Sequence, residues 1–306
     1  MKRIIYILLA VCLVSGSAFS QEDATPTKKK KDKPVYEMFS SGIMMDEQTT
    51  FIPEKKTLEM QIIHRFGLLN TNGISDLYGV YAPSANTKMG LNFTPMKNLE
   101  IGYGITRLNM YSDFHIKYKA LSQTRKNTIP VDVVIFANMA IDGRNKSVFE
   151  TTTTDYSEYE FANRMSYFTQ LIVAKKFADW FSFAVNASFT HFNTVDAEFE
   201  NIKGMDHDKL GFGFLGRFKF SSQSSIIFHY SMPVYIESMS ENTEVTLKSL
   251  PNFGIGYQVA TATHSFEIFL TNGNNIIPQS NYMYNTTDWT KGEFRLGFTI
   301  TRLWGF

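Results

Sequence analysis

Residues 294–306 read Phe-Arg-Leu-Gly-Phe-Thr-Ile-Thr-Arg-Leu-Trp-Gly-Phe. Phe294, Leu296, Phe298, Ile300, Trp304 and Phe306 fall on one face, and Arg295, Gly297, Thr299 and Thr301 on the other. A period of two is that of a β-strand, since a helix repeats every ~3.6 residues. The pattern recurs along the chain. Leu210, Phe212, Phe214, Phe218 and Phe220 oppose Gly211, Gly213, Arg217 and Lys219, and Leu99, Ile101, Tyr103 and Ile105 oppose Glu100, Gly102, Gly104 and Thr106. Phe253, Ile255, Tyr257 and Val259 face away from Gly254, Gly256 and Gln258; Phe114, Ile116 and Tyr118 face away from His115, Lys117 and Lys119.

Two architectures give such strands, a soluble sandwich and a membrane barrel, and the polar face decides between them. Water-facing strand residues of a sandwich are rich in Lys, Glu and Thr, and glycine is unfavourable there because it weakens strands. Here the polar face carries Gly-x-Gly pairs beside Arg and His. Glycine suits the lumen of a closed cylinder, where strands curve and large neighbours must fit. Closure also satisfies every backbone group, as lipid demands. The reading is therefore an all-β transmembrane antiparallel barrel.

Loop lengths test this independently. Twelve strands are predicted, at about 56–67, 86–95, 98–108, 113–121, 130–140, 162–176, 180–192, 209–221, 224–235, 252–261, 264–272 and 293–305. An even count is that of bacterial barrels. With both termini in the periplasm, the even connections should be short turns and the odd ones long extracellular loops. Four of the five even connections are tight, whereas 68–85, 141–161, 193–208, 236–251 and 273–292 are long and only 109–112 is short. Charges of outward parity are placed at strand ends, Arg302 and Lys175 at the periplasmic rim and Arg107, His64 and His191 at the outer rim, where they reach headgroups. Trp180, Phe181, Tyr230 and Trp304 suit interfacial girdles. Pro233 requires a strand end or bulge.

Composition excludes other classes. The chain has 306 residues, 30 Lys+Arg against 29 Asp+Glu, and 15% aromatic residues. A net charge of +1 gives no footprint for nucleic acid. A mean hydropathy of -0.17 leaves no room for several membrane helices, and the aromatic content argues against disorder. Lys2 and Arg3, the apolar stretch Ile4–Val14 and Ala18-Phe19-Ser20 before Gln21 have the form of a cleaved signal peptide over 1–20. Cys12, the single cysteine, lies inside it. A mature chain starting at Gln21 then has no thiol for a disulfide, a metal site or a nucleophile. Residues 21–52 are expected to form a periplasmic linker, with Lys28–Lys31, Asp32 and Lys33 between Pro26 and Pro34. Its part from Val35 to Phe51, holding Met38, Phe39, Ile43, Met44 and Met45, is either a lumen plug or an extra strand. The barrel is expected over 53–306.

Phe306 closing an alternating strand with Phe298, Ile300 and Trp304 resembles the C-terminal sorting signal of outer-membrane barrels, which implies recognition by the barrel-assembly machinery. The first half is similar to an uncharacterised outer-membrane β-barrel family of Bacteroidota, a porin-like domain of unknown function. His64-Arg65-Phe66-Gly67, Tyr78-Gly79, Ile101-Gly102-Tyr103-Gly104, Lys117-Tyr118 and Gln123 carry that likeness over about 35–140. It implies location and fold, with no activity, cofactor or catalytic residue to carry over. His64 and Arg65 read as a rim residue and a lumen ion-pair partner.

No motif points to an enzyme: His-Glu-x-x-His and Gly-x-Ser-x-Gly are absent. His191 with Asn193, or His229 with Ser231, could be forced into the site of a barrel-wall hydrolase, but no local motif supports either pair. Asp196, Glu198, Glu200, Asp206, His207 and Asp208 form an acidic outer loop without EF-hand spacing, and Thr151–Ser157 is an outer stretch with no nameable chemistry. The lumen leans basic: Arg65, Lys88, His115, Lys117, Lys119, Arg217, Lys219, His229 and Arg295 against Glu59, Glu100, Asp132 and Glu267. An open lumen of this kind favours small anionic solutes, whereas a filled one pairs its charges internally. The expected function is a passive or gated channel for small solutes; the alternatives are an occluded barrel whose outer loops bind a partner or surface ligand, and a wall hydrolase. Outer-membrane lipid is the expected surrounding, and nothing marks a subunit interface.

Overall fold

A computed structural model of the chain describes residues 32–70, 73–150, 159–195, 198–199, 202–203, 205–236, 240 and 249–306. The signal-peptide reading of 1–20, most of the linker and the Thr151–Ser157 stretch lie outside the described residues.

The period-two segments form twelve antiparallel strands: β1 Thr57–Leu68, β2 Asn86–Met96, β3 Leu99–Thr106, β4 Ser112–Leu121, β5 Asp132–Ile141, β6 Met165–Ala178, β7 Phe181–Phe192, β8 Asp208–Lys219, β9 Ser224–Val234, β10 Asn252–Ala260, β11 His264–Thr271 and β12 Arg295–Gly305. Each pairs with its neighbours in sequence, and β12 returns to β1 from Arg295↔Leu68 to Gly305↔Thr57, so the barrel closes. Closure leaves no wall strand with an open edge, which is what a lipid surrounding requires. The predicted boundaries agree with these strands to within a few residues, and the short and long connections alternate as expected.

Facing follows parity. In β12, Arg295, Gly297, Thr299 and Thr301 are buried inside, while Leu296, Phe298 and Ile300 point outward. The outer wall is a continuous apolar surface, including Ile101, Tyr103, Ile116, Leu171, Phe214, Ile255 and Ile268. Toward its periplasmic edge Trp180, Phe181 and Phe218 stack, with Phe181 and Phe218 centroids 4.7 Å apart. Arg302 lies 5.0 Å over Trp304 and Lys175 5.5 Å over Phe177, so both rim cations sit on aromatic faces where headgroups begin. Pro233 pairs with Gly211 one step from the end of β9, where a missing amide costs least.

Inward glycines make room for large side chains. A β-carbon on Gly104 would stand 2.5 Å from Lys88 Cε and 2.8 Å from Asp113 Oδ2, and one on Gly211 would stand 2.3 Å from Tyr282. The cylinder is filled. Residues 38–53 enter it and form a plug hairpin, Ile43–Met44 paired with Glu47–Gln48. The extra-strand possibility is thereby ruled out, because this hairpin is a separate two-stranded sheet and not part of the wall. From the outer side, a short helix, Pro278–Tyr284, descends from the connection 272–294.

Candidate functional site: the plugged lumen

The plug carries acid at its tip and sulfur and aromatic groups below it. Met45 and Asp46 form the turn, with Met45 at φ 54°, a left-handed conformation that a non-glycine residue holds only when its surroundings fix it. The surroundings are specific. Met45 donates its amide to Glu267 Oε2 at 2.9 Å, and its carbonyl accepts from Arg65 Nη2 at 3.0 Å. Asp46 Oδ1 pairs with the same guanidinium, and Oδ2 accepts from Thr271 Oγ1 at 2.7 Å and Asn252 Nδ2 at 3.1 Å. His229 Nε2 is 3.2 Å from that oxygen. Burial alone would raise the Asp46 carboxyl, but Arg65 and His229 outweigh it and hold it well below the usual carboxylate range.

Glu47 takes a different seat. Gln170 and Asn186 donate to its Oε2 at 3.0 and 3.1 Å, and Tyr282 of the cap helix donates to Oε1 at 3.2 Å. Among the described residues no cation is bonded to it, and burial pushes its carboxyl up. Below the tip, Met38, Phe39, Met44 and Met45 pack against inward Val134, Ile172, Ala174, Ala184, Leu215, Ile227 and Phe269. An apolar belt inside a polar barrel matches the apolar stem that fills it.

The cations expected in the lumen all face inward, and the structure divides them into two groups. Arg65, Lys117, Arg217, Lys219 and His229 contact the N-terminal segment, and Lys117 also lies 3.7 Å from Glu100 on the wall. Lys117 Nζ donates to Gly42 O at 2.7 Å, Arg217 Nη1 to Glu37 O at 3.3 Å, and Lys219 Nζ to Glu37 Oε2 at 2.6 Å. The others pair along the wall: Lys88 with Asp113 at 2.6 Å, Lys119 with Asp132 at 3.2 Å and His115 with Glu100 at 3.5 Å. Arg295 stands at the outer mouth, within 3.5 Å of Ser84 Oγ. Phe298, Ile300 and Trp304 lie on the lipid face of β12, and Phe306 is 82% exposed at its end.

Sequence reasoning missed three parts of this arrangement. Asp113 has the parity of His115 and Lys117 and could have been read from it. The cap helix is marked by Pro278 at its first turn. Asp46 and Glu47 carried a signal in being acids inside an apolar stretch, but their partners are more than a hundred residues away apart from Arg65.

The two histidine pairs lie in different places, His191 and Asn193 bonded to each other at the outer rim and His229 inside the barrel. His191 bonds to Asp208 at 2.6 Å and Asn193 at 3.0 Å on the outer rim, with no hydroxyl nucleophile bonded to it among the described residues. His229 turns to Asp46 inside the barrel. Of the acidic outer loop, Asp206 and Asp208 are described, while Asp196 and Glu200 lie outside the described residues. His64 meets Thr87 Oγ1 at 2.7 Å and stacks on Phe298 at 5.2 Å.

A family profile described as "Membrane bound beta barrel domain (DUF5777)" matches residues 39–304. Among solved structures the chain is similar to the NanC porin, with 7% identity, 80% of this chain and 98% of that one covered, and a TM-score of 0.46. It is similar to an outer-membrane channel from Pseudomonas putida F1, with 11% identity, coverage of 83% and 97% and a TM-score of 0.45. It is also similar to the KdgM porin, with 5% identity, coverage of 82% and 99% and a TM-score of 0.43. No curated relative matches the chain.

Proposed function

The chain belongs to the family of membrane bound beta barrel domains, and on that premise we propose that it is a gated outer-membrane channel, shut by its own N-terminal segment and favouring small anionic solutes when open. One observation carries this reading. The plug is a self-paired hairpin inside a wall that is already closed, and between residues 36 and 55 no backbone-to-backbone hydrogen bond joins it to the wall among the described residues. It can therefore leave without breaking the ladder on which the barrel's stability in lipid depends. Its ties are side-chain bonds and apolar packing, which is the form of a seat.

The anion preference follows from the same contacts. Asp46 and Glu37 neutralise Arg65 and Lys219, and carbonyls of the same segment occupy Lys117 and Arg217. Withdrawal of the segment uncovers these cations along the path, and rings of one sign set permeant preference. In the same reading, residues 1–20 deliver the chain as a cleaved signal, and Phe298, Ile300, Trp304 and Phe306 are the side chains recognised by the assembly machinery.

Flux into proteoliposomes tests this. The full chain should admit small carboxylates slowly, and Asp46→Ala with Glu47→Ala should speed their entry while leaving cations of the same size behind. Lys117→Glu with Lys119→Glu should weaken or reverse the preference. Equal exclusion of all solutes by every variant contradicts the channel and favours the second reading, an occluded barrel serving its outer loops, which the filled lumen also supports.

A further inference from the structure

At the periplasmic end, the plug and the wall enclose a vestibule of about 420 Å³. On the plug side lie Met38 and Phe39 of the entering limb and Phe51 and Ile52 of the returning limb; on the wall side lie Arg217 of β8, Ala260 of β10 and Leu303 of β12. Phe51, Ile52, Ala260 and Leu303 are each only half-buried. The belt above them is packed, but here apolar surface of both plug and wall is left uncovered.

Most charges around the vestibule are paired or reach water. Glu37 pairs with Lys219 at 2.6 Å, Lys119 pairs with Asp132 at 3.2 Å, and Glu54 is exposed. Arg217 differs, being only 3% exposed. Its Nε donates to Ser225 Oγ at 3.0 Å and its Nη1 to Glu37 O at 3.3 Å. Among the described residues no carboxylate lies within ion-pair distance of it, and its Nη2 makes no hydrogen bond. A guanidinium keeps its charge and has five N–H donors, so a buried one held by a hydroxyl and a carbonyl still lacks an anion. An inorganic anion would use Arg217 and leave the apolar surface uncovered. A hydrocarbon would do the reverse, and a phosphate dianion would bring a second charge toward Glu37 and Asp132. One negative charge on an apolar body answers both sides.

We propose that the vestibule binds an amphipathic monocarboxylate of medium chain length, and that the bound acid holds the plug in its seat. The carboxylate meets Arg217 on β8. Ala260 is on β10, two strands away, and neighbouring strands are ~4.8 Å apart, so a chain about 10 Å long runs past Ala260 toward Leu303 while lying on Phe51 and Ile52. The volume is within the usual range of ligand pockets. Such a ligand touches the wall on one side and the plug on the other, so it binds the seated form and stabilises it against release. The binding does not rest on the channel reading; its effect on flux does.

Calorimetry on the full chain in lipid nanodiscs, with empty nanodiscs as the blank, tests the binding with octanoate and octanamide as probes. Octanoate should bind about tenfold or more tightly than its neutral isostere, the usual scale of one charge-assisted contact, and Arg217→Gln should remove that difference. Because Arg217 also holds the plug through Glu37 O, a second variant is needed. Ala260→Phe leaves Arg217 and its bonds in place but fills the path of the chain, and it should weaken octanoate about fourfold for each methylene displaced. The Met45 amide, bonded to Glu267, exchanges with solvent when the plug leaves its seat. At a free octanoate concentration ten times the Kd, its exchange should therefore slow about tenfold. Equal binding of the two probes, no heat with octanoate, full affinity in Ala260→Phe, or unchanged Met45 exchange at saturating octanoate overturns the proposal. Octanoate binding with slowed exchange, but no solute flux in any variant, supports the site and sinks the channel reading alone.

Discussion

Asp46 is the residue on which most of the interior converges. Its two oxygens meet Arg65, Thr271, Asn252 and His229, from four different strands. Removing one partner of a buried pair strands the other charge and costs about 3–5 kcal/mol. Asp46→Asn should therefore release the plug tip long before the barrel unfolds. Hydrogen exchange at the Met45 amide should rise by orders of magnitude in this variant while amides of β1 and β12 stay protected. Tyr282→Phe removes one neutral hydrogen bond to Glu47, worth about 0.5–1.5 kcal/mol, so its effect on the same exchange should be smaller. Arg65 was legible in the sequence as a lumen ion-pair partner. That its partner is Asp46 was not, because pairing across a barrel depends on which segment enters the lumen, and periodicity carries no information on that.

At the scale of elements, the strands were legible because two solvents act on them. Lipid outside and a packed polar interior inside impose a strict period of two, so parity alone placed Lys88, Lys117 and Arg217. Elements without that constraint were not. The cap helix Pro278–Tyr284 lies in a stretch that carries only loop signals apart from its proline, and Val35–Phe51 fits both plug and strand. The wall makes its own prediction. Ile300 points to lipid at mid-strand between Ile62 and Phe266, and a cation there costs about 2–4 kcal/mol. Ile300→Lys should lower the fraction of protein that migrates as a folded barrel on unheated gels, whereas Arg302→Lys, at the rim, should leave it unchanged.

At the scale of the whole molecule, the described residues form a closed wall filled by the chain's own N-terminal segment. Its near-zero net charge conceals an interior in which basic wall residues receive acid from the N-terminal segment. The exterior is apolar where lipid meets it and aromatic at the rim. The N-terminal segment is pinned at the periplasmic side through Val35 N to Gln123 O and Arg125 N to Lys33 O. The most direct test of the central claim is single-channel recording in a planar bilayer, comparing the full chain with its Asp46→Ala, Glu47→Ala variant. The account predicts a predominantly closed full chain, frequent openings in the variant to one common conductance, and an anion-selective reversal potential in both. Silence of both proteins at every voltage, or identical open probability, would contradict it.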